Sequence, residues 1–99
     1  MVGVSAGRLA TLIGDLAGER LPRYAALAMR IRLLVADGRL AVGTRLPAER
    51  ELAAATGLSR ATVTAGYRLL RADGWAGARQ GAGTWTALPA GPAQGAWVP

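Results

Sequence analysis

Residues 48–72 read AERELAAATGLSRATVTAGYRLLRA, and this stretch decides the fold. Leu52 and Ala53 share the inward side of a short helix that starts near Ala48, just after Pro47, and runs to about Thr56. Gly57 ends that helix, and Leu58 is the apolar pivot of the turn. Ser59 has the side chain of an N-cap, so a second helix is predicted from Arg60 to Ala72. Val63, Gly66, Tyr67 and Leu70 form its apolar face, and Arg60, Thr64, Arg68 and Arg71 form the opposite stripe. Asp73 and Gly74 stop it. Two short helices around a glycine turn make a helix-turn-helix.

The flanking sequence extends that unit. Upstream, Pro22 suits the start of a helix reaching Asp37, with Tyr24, Leu27, Ala28, Ile31, Leu34 and Val35 on one face and Arg23, Arg30 and Asp37 turned away from it. Gly38 stops this helix, Val42 and Gly43 turn the chain, and Thr44 to Leu46 suit a very short strand. Downstream the period changes. Trp75, Arg79, Thr84, Trp85 and Thr86 flank the QGAG of residues 80–83, the pattern of a hairpin with a glycine-rich tip. The fold class predicted is mainly α with a small β-hairpin, a winged helix-turn-helix of three core helices plus a wing, spanning residues 21–88. Residues 1–20 carry Leu9, Leu12, Ile13 and Leu16 at helical spacing and read as an amphipathic helical extension. Residues 89–99, rich in Pro and Gly and without charge, read as a flexible linker or tail.

Composition narrows the chemistry. Twelve basic residues, all Arg, face six acidic ones for a formal charge of +6 in a chain of 99 residues. Arg forks onto phosphate oxygens and guanine edges, so a polyanionic partner is favoured. The chain has no Cys, His or Lys. Disulfides, thiolate metal sites, the commonest general base and a Schiff-base amine are therefore all absent, and neither an enzyme nor a metal site is expected. No apolar run reaches membrane-spanning length, and Arg8 falls too early for a signal peptide. The absence of Cys fits a reducing cytoplasm.

In a helix-turn-helix the second helix enters the major groove by its N-terminal end. Here that end carries Ser59, Arg60, Ala61, Thr62 and Thr64. Arg60 can donate two hydrogen bonds to guanine, while Ala61 and the Thr methyls suit thymine methyl groups. The free N–H groups of the helix end suit a phosphate. A solvated Arg face reads the same way in isolation. The wing directly after the helix, with Arg79, Gln80 and Gly81, favours DNA, because glycine lets the tip approach the phosphodiester backbone.

The stretch from residue 22 to about 86 resembles the DNA-binding domain of the GntR family of bacterial regulators. The resemblance rests on DGRLAVGTRLPAERELA at 37–53, GLSRATV at 57–63, DGW at 73–75 and ARQGAGT at 78–84, in the family's order and spacing. It implies sequence-specific binding to double-stranded operator DNA by a homodimer associated with the nucleoid. It also implies a phosphate contact for Arg50 and a base contact for Arg60. Ser59 and Thr62 would support Arg60, and Gln80 and Gly81 would form the wing tip. Ala61 and Thr64 stand where the family often has longer polar side chains. Gly66 stands where it often has Ala, which should loosen the helix slightly. The tyrosine of TVTAGYRLL and the N-terminal stretch resemble the MocR-like subgroup. Its members carry a following pyridoxal-phosphate-binding domain, so no cofactor or small molecule is expected in this chain itself. The alternative for the same fold is a protein-interaction module. An acidic or apolar recognition helix would favour it, and this one is neither.

Overall fold

The structure, a computed structural model, describes residues 2–89, so the tail read as a linker lies outside the described residues from position 90 onward. The elements in chain order are α1 (Ala6–Ile13), α2 (Arg23–Ala36), α3 (Glu49–Thr56), α4 (Arg60–Ala72), β1 (Ala76–Arg79) and β2 (Gly83–Thr86). The strands pair antiparallel, with Ala76 opposite Thr86 and Arg79 opposite Gly83. This is the winged helix-turn-helix expected from the sequence, and α4 has the expected bounds. Leu9, Ile13, Leu27, Ile31, Leu52, Val63, Tyr67 and Leu70 are sealed in one core between the helices.

The packing of α2 on α4 is the main helical contact, and Gly66 makes it close. A Cβ at Gly66 would lie 2.9 Å from Leu27 Cδ2 and 3.2 Å from the Tyr24 carbonyl oxygen. The glycine that weakens α4 as an isolated helix thus lets two helices touch backbone to backbone. Tyr24 departs from the sequence reading. It sits in the first turn of α2, where its carbonyl faces α4 and the residue remains 41% exposed at the edge of the core.

Arg30 departs as well. It is half-buried rather than turned to solvent, and it donates to the Ile13 carbonyl at 3.0 Å and to Glu19 at 2.6 Å. Those bonds fasten the end of α1 to the middle of α2. Ser5 caps α1 by accepting the Arg8 N–H at 3.1 Å, and Gly14, at φ 74°, ends it sooner than the apolar spacing suggested. Leu16 is still buried, now from the loop.

The N-terminal residues do more than precede a helix. Arg45 N–H donates to the Val2 carbonyl at 2.8 Å, and Val4 N–H donates to the Arg45 carbonyl at 3.0 Å, a short parallel pairing. On its other side the Thr44–Leu46 segment runs beside β2, with Leu46 N–H to Thr84 O and Thr86 N–H to Thr44 O both at 2.8 Å. The wing is thereby rooted in a wider sheet. Thr86 locks the root from inside. Its buried hydroxyl accepts from Thr44 N–H at 2.9 Å and donates to the Ala41 carbonyl at 2.6 Å.

Substituting Ala for Gly66 raises the intrinsic helix preference of α4 by about 1 kcal/mol. It also overpacks a closed contact, at about 1–3 kcal/mol. Gly66→Ala is therefore expected to lower the unfolding free energy by about 1 kcal/mol net, read from urea denaturation. A gain in stability would show that α2 can retreat from α4 without loss.

Candidate nucleic-acid interface

The turn between α3 and α4 is built from local chemistry. Gly57 adopts φ 77°, the left-handed conformation that ends α3. Thr56 brackets the bend: its hydroxyl donates to the Leu52 carbonyl at 2.7 Å and accepts from Leu58 N–H at 3.3 Å. Leu58 is half-buried against the core. Ser59 then caps α4 by accepting Thr62 N–H at 3.0 Å, and its hydroxyl donates to Thr62 Oγ1 at 2.8 Å. Ser59, Arg60 and Ala61 are exposed at the helix tip, whereas Thr62 is half-buried. No acidic residue lies in the first turn of α4. Its partial positive charge is therefore left open to an incoming anion.

Thr64 is placed differently from its neighbours. It is half-buried, and its hydroxyl donates to Glu49 Oε1 at 2.7 Å. Glu51 accepts the Ala48 N–H at 3.3 Å, half of a capping box on α3. Both glutamates lie in the first turn of α3, where their charge suits the helix start, and Glu49 also holds α4. That link joins residues too far apart in sequence to leave a local signal. Tyr67 completes the joint by donating its buried hydroxyl to the Pro47 carbonyl at 2.7 Å. Burial pushes the Tyr67 phenol well above its ordinary range, and the carboxylates of Glu49 and Glu51 push it the same way.

Arg79, Gln80 and Gly81 are exposed at the wing tip. Ala82 N–H donates to the Arg79 carbonyl at 3.0 Å, and Gly81 at φ 82° permits this tight turn. The Arg79 guanidinium lies 5.9 Å from the centre of the Trp85 ring, a cation–π contact that steadies it. Trp85 itself lies over Gly77, where a Cβ would come within 2.7 Å of the indole Nε1. Arg50 is exposed on α3. Among the described residues the one ion pair is Arg30 with Glu19, so Arg50, Arg60 and Arg79 have no carboxylate within salt-bridge distance. The structure thus presents the tip of α4, Arg50 and the wing tip as exposed and uncompensated. It places Thr64 in the joint between the helices.

Among the described residues there is no group of three or more His, Cys, Asp or Glu suited to a metal ion, and no helix is long and apolar enough to cross a membrane.

Residues 23–85 match the family described as bacterial regulatory proteins, gntR family. A helix-turn-helix-type transcriptional regulator of Mycobacterium tuberculosis is 44% identical over 69 residues, covering 70% of this chain and 26% of that protein. The probable rhizopine catabolism regulatory protein MocR of Rhizobium meliloti is 39% identical over 67 residues, covering 68% of this chain and 14% of that protein. The chain therefore spans only a minor part of the length of these relatives. Among solved structures, YtrA from Sulfolobus acidocaldarius, a GntR-family transcription factor, is similar with a TM-score of 0.67 at 28% identity, over 86% of this chain and 87% of that one. The DNA-binding domain of AraR in complex with its operator ORX1 is similar with a TM-score of 0.63 at 31% identity, over 75% of this chain and 89% of that one.

The Tyr67 joint is testable by pH. The folded state holds the phenolic proton to higher pH than the unfolded chain does. The stability it contributes is whole below about pH 10, where the unfolded phenol titrates, and declines as pH rises beyond that. The chain has no Lys or Cys to confuse the alkaline range. Tyr67→Phe is expected to cost about 1–2 kcal/mol at neutral pH by denaturant unfolding. It should also flatten the loss of stability above about pH 10. Equal alkaline slopes in the two proteins would separate Tyr67 from that loss.

Proposed function

The chain belongs to the gntR family of bacterial regulatory proteins, and on that premise we propose that it is the operator-reading module of a bacterial transcription regulator, binding double-stranded DNA by sequence. The observation that carries this reading is the tip of α4, where Arg60 and Ala61 stand exposed on a helix end with no acidic residue in its first turn. The operator complex of the AraR domain, whose fold this chain shares, supports it.

The mechanism follows from the parts. The N-terminal end of α4 enters the major groove. Arg60 donates to guanine O6 and N7, while Ala61 and the Thr62 methyl meet thymine methyls. Ser59 and Thr62 hold each other and keep the helix end in shape beside the bases. Arg50, Arg79, Gln80 and the Gly81 backbone contact phosphates and set the register. Thr64 acts from behind: tied to Glu49, it fixes the rotation of α4 against α3. A direct groove contact from Thr64 would first require that bond to open.

One such domain makes few contacts, and a homodimer on paired half-sites gains affinity through effective concentration. Dimerisation and effector sensing are assigned to regions other than this domain, which spans 26% and 14% of the two regulators it matches. The likeness to MocR supports the subgroup that carries a pyridoxal-phosphate domain. The chain itself has no Lys, so its residues do not fit that cofactor as a Schiff base. The domain acts through binding and not through catalysis, in the cytoplasm at the nucleoid.

Selection from random duplexes at two salt concentrations tests this reading. A recurring motif that survives the higher salt is expected, and retention without a motif, fading with salt, would refute it. On the selected duplex, Arg60→Ala should cost about 1–3 kcal/mol and flatten preference at one base position. Arg50→Ala should instead weaken all duplexes alike and reduce the salt dependence by about one unit of log–log slope. Unchanged preference in the first variant, or lost preference in the second, would reverse the assignment.

A further inference from the structure

The outer face of the wing sheet holds a second arginine that the family likeness did not single out. Residues 44, 45 and 46 are buried, exposed and buried in turn, so Thr44 and Leu46 face the core and Arg45 faces out. Arg45 bridges Gly3 on one side and Trp85 on the other, which puts the Arg45 and Trp85 side chains on the same face. Its head reaches toward the wing tip: a Cβ on Gly83 would lie 3.1 Å from Arg45 Nε and 3.3 Å from its NH2 nitrogen. Gly83 is the cross-strand partner of Arg79. The Arg45 guanidinium and the Arg79 backbone therefore flank one glycine at the same level of the wing, and both side chains lie on the face that carries Trp85.

Among the described residues, neither Arg45 nor Arg79 has a carboxylate within salt-bridge distance. Two like charges carried on one face of a sheet attract an anion that both side chains can reach. Both backbones are fixed in advance. Arg45 is held by its two hydrogen bonds to the N-terminal residues, and Arg79 by the hairpin and the Trp85 ring. A cleft of about 410 Å³ runs from Arg45 and Gly83 on the wing side to Glu49 and Glu51 at the start of α3. Its acidic wall repels phosphate, so a nucleic-acid backbone crosses on the wing rim, over Gly83, and not through the depth of the cleft.

We propose that Arg45 is a phosphate-anchoring residue that acts with Arg79 as a clamp over Gly83 on one phosphate of the operator backbone. The proposal rests on the DNA-binding reading and adds to it a contact supplied from outside the helix-turn-helix and the wing hairpin. It also gives the N-terminal residues a task, because their pairing with Arg45 sets where the clamp stands.

The test compares the 99-residue chain with Arg45→Gln and Arg45→Lys, by fluorescence anisotropy on the duplex selected from the random pool, across a series of salt concentrations. For Arg45→Gln the log–log salt slope should shrink by about one unit, and affinity at 0.1 M salt should fall about eightfold, the counterion-release value for a single contact. Base preference in the pool should be unchanged. Arg45→Lys should keep the slope of the parent, because it keeps the charge. An unchanged slope in Arg45→Gln overturns the proposal and leaves the DNA reading intact. A Lys variant that fails as the Gln variant does would make the role of Arg45 structural, which also overturns it. A parent chain that selects no motif overturns the DNA reading together with the clamp.

Discussion

The hydroxyl of Tyr67 donates to the carbonyl of Pro47 inside the protein, and much of the interface geometry depends on that joint. α4 can present its tip to a groove only if its rotation and height are fixed against α3. Apolar packing through Leu52, Val63 and Leu70 brings the helices together but tolerates small slides. A directed bond to Pro47, the residue just before the α3 cap, removes that freedom. Thr64 on Glu49 adds a second directed bond one helical turn nearer the tip. Between them, these bonds turn a packed pair of helices into a rigid reading head.

The root of the wing obeys the same logic. Thr86 is a polar residue in an apolar setting, and both functions of its hydroxyl are used. An apolar residue there would leave the Thr44 segment tied only by its backbone. With Thr86 in place, the hairpin, the Thr44–Leu46 segment and the N-terminal residues behave as one sheet, and the wing tip is carried by the core instead of by a free loop. Exposed arginines at Arg45, Arg60 and Arg79 then stand on fixed supports. That preorganisation matters more for recognition than the net charge of +6, which only attracts.

Much of this was legible in the sequence because it is local. The apolar period of α4, the Ser59 cap and the glycine after α3 each follow from residues within a few positions of one another. So does the glycine-tipped hairpin. What escaped was what the chain builds between distant segments. Arg30 looked like a surface charge because nothing near it in sequence says that the Ile13 carbonyl and Glu19 will meet it. Gly66 read as a weak point in a helix, since its value lies in the approach of α2. Thr64 read as a groove residue from its stripe position, while its partner is on α3. The pairing of residues 2–4 with Arg45 left no periodicity to detect in so short a segment.

On the proposed reading, DNA meets this domain through the tip of α4 and the wing, on supports fixed from behind. The most direct measurement is the shift of backbone amide resonances in the labelled chain as a selected duplex is titrated in. The largest shifts are predicted at residues 59–62 and 79–82, with smaller ones at Arg45 and Arg50 and almost none along the groove between α2 and Trp75, lined by Leu21, Met29 and Leu69. Shifts centred on that groove, with the tip of α4 undisturbed, would contradict the account.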